Sequence, residues 1–140
     1  MLVAAADVPA VAADPGQLRQ VLGNLIENAI KYSPGGGTIE VTIEPVDEYV
    51  RFAVNDTGLG IPETEQRRIF ERFYRLQAET TRGIRGTGLG LYICRELVRR
   101  VDGRIWVESD GESGSTFIVE IPQETAVPAV VAHRRISTPV

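Results

Sequence analysis

Residues 21–32 read VLGNLIENAIKY, and the fold follows from how that stretch divides into two faces. Asn24, Glu27, Asn28 and Lys31 recur at intervals of three and four, so on a helix all four project from one side. Leu18, Val21, Leu22, Leu25, Ile26, Ala29 and Ile30 give the other side the rhythm of a stripe that helices bury. Asp14-Pro15 marks the start: aspartate caps free amides, and proline is tolerated at the first helical position, where no donor is needed. Ser33-Pro34 and the glycines at 35–37 end it. The predicted helix runs from Pro15 to about Tyr32. One face packs against a core, and the other is left for chemistry.

Outward from this helix the period changes. Thr38 to Pro45 and Tyr49 to Asn55 alternate apolar and polar residues, as half-buried strands do, and the short link 46–48 predicts an antiparallel hairpin. Asp56 to Pro62 is a glycine-bearing loop directly after a strand, and Glu63 to Arg75 turns helical, with Ile69, Phe70 and Phe73 as its apolar residues. Arg75 to Arg85 has almost no large apolar side chain and reads as a mobile surface segment. Gly86 to Gly90 leads into a helix over Leu89–Val101, with Leu89, Ile93, Leu97, Val98 and Val101 as its inward stripe and Asp102-Gly103 as its end. Two strands, Arg104 to Glu108 and Thr116 to Pro122, close the pattern. Upstream, Leu2 to Ala6 and Pro9 to Ala13 read as short strands. The prediction is an α/β two-layer sandwich, a mixed sheet with helices on one face, in a domain over 1–123 followed by a flexible tail over 124–140. Strand order within the sheet does not follow from these signals.

Composition narrows the function. At 140 residues the chain is one domain, and no apolar run approaches the roughly 18 residues that span a membrane. A formal net charge of −4 argues against a nucleic-acid binder, so any anionic ligand must be held by local groups. One cysteine and one histidine allow neither a disulfide nor a soft metal site, and a reducing cytoplasm fits best. Cys94 and Trp106 read as packing residues.

Two neutral amide oxygens one helical turn apart, from Asn24 and Asn28, can complete the octahedral shell of magnesium; as single residues they are equally ordinary solvated side chains. Lys31 can neutralise a phosphate or be a surface lysine, and Tyr32 can pack on a sugar or base or cap the core. Asp56 at a strand end can accept from the exocyclic amine of adenine while excluding guanine's carbonyl, with Gly58 and Gly60 letting the backbone approach; the same residues also make a plain turn. Gly86, Gly88 and Gly90 precede a helix, whose N-terminal amides attract phosphate. A dinucleotide fingerprint needs such a run directly after a strand, and a P-loop needs Gly-Lys-Ser/Thr; neither is present. Any of Arg75, Arg82 and Arg85 can reach across a bound triphosphate.

Taken in order, NLIENAIKYS (24–33), DTGLGIP (56–62), IFERFYR (69–75) and GTGLGLYI (86–93) resemble the four ordered sequence boxes of the ATP-binding catalytic domain of sensor histidine kinases, within the GHKL (Bergerat-fold) ATPases. GRIWVES (103–109) and GSTFIVEIP (114–122) are similar to the family's last strands. The resemblance implies that Asn24 and Asn28 hold magnesium, that Lys31 and Tyr32 contact the phosphates and ribose region, and that Asp56 reads the adenine amine. It places Gly58, Gly60 and Ile61 at the base, Phe70, Phe73 and Arg75 at the lid hinge and phosphates, and Arg85, Gly86, Thr87, Gly88, Leu89 and Gly90 around the triphosphate. Asn24, Glu27, Lys31 and Arg75 are then the catalytic candidates.

One position separates branches of this superfamily. Members that hydrolyse ATP resemble each other in a glutamate where this helix has Asn24, and that carboxylate activates water as a general base. Asparagine cannot take the proton, and Glu27 beside it orients the pocket. Positioning and charge stabilisation remain, which suits phosphoryl transfer to a nucleophile on another domain. The resemblance thus implies ATP and magnesium as cofactors, a histidine-bearing dimerisation domain as acceptor and a response regulator further on. Competing readings are an anti-sigma-factor-type serine kinase, a nucleotide-binding module without catalysis, and an autonomous ATPase. His133, followed by Arg134 in the tail, is not expected to be the acceptor.

Overall fold

The computed structural model describes residues 2–4, 8–33, 35–76, 83 and 86–124. Expectations for Pro34, for Arg82 and Arg85, for most of the segment between Arg75 and Gly86, and for the tail beyond 124 with His133 lie outside the described residues. The chain makes β1 (Leu2–Ala4), α1 (Pro15–Lys31), β2 (Ile39–Val46), β3 (Tyr49–Asp56), two short 3-10 turns (Glu63–Glu65 and Arg68–Phe70), α2 (Gly90–Arg100), β4 (Arg104–Glu108) and β5 (Ser115–Pro122).

Helix α1 begins as its sequence dictates. The Asp14 carboxylate accepts from the Gln17 amide at 2.9 Å, with Pro15 at the first helical position. Val21, Leu25 and Ala29 are buried with Leu18, Leu22 and Ile26 packed beside them. Ile30 departs from the expected stripe and is 60% exposed: it continues the Leu22–Ile26 flank one turn further, while the buried row ends at Ala29. In α2 Leu91, Cys94 and Val98 are buried and Leu97 and Val101 pack against the core, so the expected stripe holds from Leu97 on, while Leu91 and Cys94 take the inward places expected of Leu89 and Ile93. A small cysteine in the buried row leaves hydropathy little to choose by.

The sheet runs β1-β2-β3-β5-β4, with β1 parallel to β2 and the other pairs antiparallel. A two-residue turn at Asp47 and Glu48 closes the expected hairpin, pairing Val46 with Tyr49. Pro9–Ala13 is not a strand; it makes one bridge, Val11 to Gln123. Glu63–Arg75 is not a continuous helix either. Ile69 and Phe70 are both buried as neighbours in a tight turn, and Phe73 takes φ 67 so that its amide reaches the Gly88 carbonyl at 2.8 Å. Tertiary contacts here override a helical pattern with only three apolar residues.

Alternation sorts the strands onto two sides. Val50, Phe52, Val54, Val107, Phe117, Val119 and Ile121 join the helices in one core, while Tyr49, Arg51, Trp106, Ile118 and Glu120 share the far side. There Glu120, 2% exposed, accepts from Arg51 Nε at 2.8 Å and Nη2 at 2.6 Å, and from Arg104 Nη2 at 2.6 Å. The guanidiniums lie over aromatic rings, Arg51 on Trp106 at 5.8 Å and Arg104 on Tyr49 at 4.3 Å. Glu120→Ala is expected to cost about 2 kcal/mol, less than breaking a fully buried pair, because both arginines keep access to water. Urea denaturation measures it, and an unchanged midpoint would contradict this account.

Candidate nucleotide site

Helix α1 and the chain entering α2 are the walls of a cleft of about 280 Å³. Asn24, Glu27, Asn28, Lys31 and Tyr32 line one side, and Gly86, Thr87, Gly88, Gly90 and Leu91 the other. Ile69, Tyr74 and Leu76 complete the lining. The polar face of α1 therefore meets the second glycine loop. Asn24 crosses the gap directly: its Nδ2 donates to the Gly90 carbonyl at 3.4 Å. The Lys31 ammonium lies over the ring of buried Tyr32, 5.5 Å from the centroid.

Gly88 explains why this loop is glycine-rich. It takes φ +75, and a Cβ there would stand 2.6–2.7 Å from the Phe73 backbone. Only glycine permits this approach, which ties the phenylalanine box to the loop before α2. Thr87 and Gly86 are exposed on the cleft wall, and the Thr87 hydroxyl accepts from the Leu89 amide at 3.3 Å.

Asp56, Gly58, Gly60 and Ile61 form a second cluster, and none of them lines the cleft. Asp56 is 1% exposed at the end of β3. Its Oδ1 accepts from the Gly58 amide at 2.9 Å and its Oδ2 from the Ser115 hydroxyl at 3.0 Å. The two clusters meet at Tyr32, whose carbonyl accepts from Leu59 at 3.1 Å. Ile61 is anchored separately: its amide donates to Ser109 Oγ at 3.0 Å, and Gln66 Nε2 donates to both the Ile61 and Ser109 carbonyls at 3.0 Å. Ser109 opens a turn stiffened by Asp110, whose carboxyl is held down at about 2 by the Ser113 hydroxyl and the Ser113 and Glu112 amides.

Phe73 is 64% exposed and Arg75 half-buried; neither lines the cleft, nor does Leu89. Sequence reasoning missed Ser115, Gln66, Ser109 and Tyr74. Tyr74 lines the cleft and donates to Glu65 Oε1 at 2.6 Å, with the Arg68 guanidinium 4.8 Å from its ring; burial and then that bond raise its pKa. The signal for Ser115 is its register opposite Asp56, visible only once β3 and β5 are paired.

Residues 13–125 match the family described as histidine kinase-, DNA gyrase B-, and HSP90-like ATPase. Adaptive-response sensory kinase SasA of Synechococcus sp. (strain CC9311) is 47% identical over 118 residues, which are 84% of this chain and 30% of that protein. The chain thus spans about a third of the length of that relative. Among solved structures, full-length ShkA in complex with AMPPNP superposes with a TM-score of 0.76 at 34% identity, covering 91% of this chain and 26% of its own. The nucleotide-free catalytic domain of histidine kinase ThkA gives 0.74 at 36% identity, covering 87% of this chain and 78% of its own. With the two-layer fold, the asparagine face of α1 and the glycine loop opposite it, the chain belongs to the histidine kinase-, DNA gyrase B- and HSP90-like ATPases, as an ATP-binding catalytic domain of the sensor histidine kinase kind.

Proposed function

We propose that this domain binds ATP with magnesium in the cleft and donates the γ-phosphate to a histidine on a separate dimerisation domain, upstream of a response regulator. The observation that carries this reading is the shared wall of Asn24, Asn28 and Lys31 facing Gly86 to Gly90. Two neutral amide oxygens beside a cation suit a hard ion that keeps its waters and takes the rest of its shell from phosphate oxygens. Among the described residues no group of three or more histidine, cysteine or acidic side chains gathers. Asn24 and Asn28 would hold the magnesium, which when bound offsets charge on the phosphates. Lys31 adds a point charge beside them. Tyr32 and Thr87 to Gly90 flank the chain of phosphates, and Asp56, behind Tyr32, receives the adenine amine.

With asparagine at position 24 and Glu27 exposed to solvent, nothing in the wall is built to strip a proton from water. Transfer to an incoming imidazole needs no such base. Among the described residues no helix is long and apolar enough to cross a membrane. The reading as an ATP-dependent kinase domain, and not that absence, is what places its work in the cytoplasm, where ATP is supplied. The test supplies γ-labelled ATP and magnesium to the domain with and without the dimerisation domain of a related kinase. Phosphohistidine is expected on the added domain only. Steady release of phosphate by the isolated chain, with none transferred, would overturn the reading.

A further inference from the structure

The loop from Asp56 to Ile61 is held at both ends by the turn between β4 and β5, and one hydroxyl joins the two holds. At the start of the loop, Asp56 Oδ2 accepts from the Ser115 hydroxyl at 3.0 Å, and the Asp56 carbonyl oxygen lies so close to Gly114 that a Cβ there would stand 2.1 Å from it. At its end, the Ile61 amide donates to Ser109 Oγ at 3.0 Å. Ser109 Oγ in turn donates to the Gly114 carbonyl at 2.7 Å and accepts a second amide, that of Gly111, at 3.1 Å. Its one hydrogen and both lone pairs are therefore engaged. Gln66 Nε2 straps the same junction, donating to the Ile61 and Ser109 carbonyls at 3.0 Å each. The path from Asp56 through Ile61, Ser109, Gly114 and Ser115 returns to Asp56 as a closed ring. Asp56 and Ile61 are each 1% exposed and Ser115 is 4% exposed, so the ring lies where misplaced polar groups are costly.

We propose that Ser109 is a positioning residue for base selection: by tying the end of the loop to the peptide that carries Ser115, it fixes the direction of the Asp56 carboxylate and so sets how sharply the site tells a purine with an exocyclic amine from one without. The proposal rests on the reading of Asp56 as the acceptor of the adenine amine. Ser115 holds Asp56 in place only while its own backbone stays put. The peptide ahead of it begins at Gly114, which takes φ +102 and has no side chain to anchor it; the Ser109 hydroxyl supplies that anchor. Hydrogen bonds weaken steeply as their angle falls, so a small rotation of the carboxylate costs selectivity before it costs the fold. Ser109 acts through Gly114 and Ser115 and needs no contact with the nucleotide.

The test measures, by calorimetric titration in magnesium, the affinities for ATP and for purine riboside triphosphate, which lacks only the exocyclic amine, in wild type, Ser109→Ala and Asp110→Ala. Wild type is expected to prefer ATP about 100-fold, and Ser109→Ala to narrow that preference about 10-fold, as a misaligned hydrogen bond to a charged group does. Affinity for the amine-free nucleotide is expected to stay near wild type, which a general loosening of the fold would not leave untouched. Asp110→Ala removes the bonds from Glu112 and Ser113 that stiffen the same turn but none in the ring, and should keep the full preference. An undiminished preference in Ser109→Ala, or an equal narrowing in Asp110→Ala, overturns the proposal. If Ser109→Ala does not fold, Gln66→Ala, which keeps both hydroxyls and removes only the strap, decides by the same ratio: narrowing is expected, and an unchanged ratio overturns the proposal. Wild type that binds both nucleotides alike removes Asp56 from reading the amine, and this role of Ser109 with it, while leaving the nucleotide site standing; wild type that binds neither removes the site itself.

Discussion

Asp56→Asn is expected to lower affinity for ATP about 100-fold, the scale of losing a hydrogen bond to a buried charged group, with little change in thermal stability. The separation of the two effects comes from what already holds the side chain. One oxygen accepts from the Gly58 amide and the other from the Ser115 hydroxyl. Asparagine can keep its oxygen on Gly58 and turn its amide to Ser115, whose hydroxyl rotates to accept. The loop therefore survives. What disappears is the negative charge and the acceptor on the second oxygen, which an adenine amine needs. Calorimetric titration with the imido analogue, beside a thermal melt of each protein, reads both quantities. Binding that survives unchanged in the variant would remove Asp56 from base recognition.

Gly58→Ala should damage both the fold and the site. A Cβ at residue 58 would stand 2.0 Å from the Tyr32 carbonyl oxygen and 2.8 Å from Ser33 Oγ. Neither neighbour is the loose end of a long side chain, so the loop must lift from the end of α1, breaking the Leu59 to Tyr32 bond. The expected cost is about 3 kcal/mol, from overpacking plus one lost hydrogen bond. Nucleotide affinity should fall as well, because the loop carrying Asp56 is displaced relative to Asn28 and Lys31. Gly23→Ala is the control: nothing lies within 4 Å of its added methyl, and on an exposed helix position alanine should stabilise by about 1 kcal/mol. Chemical denaturation of both variants measures this, and equal stabilities would show that residue 58 has room the geometry denies.

The polar face of α1 was legible because helical pitch is regular: four residues at intervals of three and four must share a side wherever the helix sits. So was the glycine loop before α2, which a helix start and phosphate chemistry explain locally. Asp56 was legible as a candidate, but its partner was not. Ser115 lies 59 positions away, and only the antiparallel pairing of β3 with β5 brings it opposite. The same holds for Ser109 and Gln66, ordinary polar residues until the turn after β4 is folded against Ile61. Glu63 to Arg75 failed for the converse reason. Its local pattern is helical, yet a single backbone bond from Phe73 to Gly88, together with burial of two consecutive side chains, outweighs propensities worth tenths of a kcal/mol per residue.

The far side of the sheet, where Glu120 binds two arginines, has a practical value of its own. The cleft is lined by the helices and the loops beside them, so side chains on the opposite layer report on or adjust the domain without entering the site. Glu44 and Asn55 are exposed there, on β2 and β3. A fluorophore or surface tether at Glu44 leaves the mouth of the cleft open, and a better charge arrangement around Arg51 and Arg104 is expected to raise heat tolerance without altering the groups that line the cleft. In this domain, hardening the scaffold and tuning the chemistry are separate engineering problems.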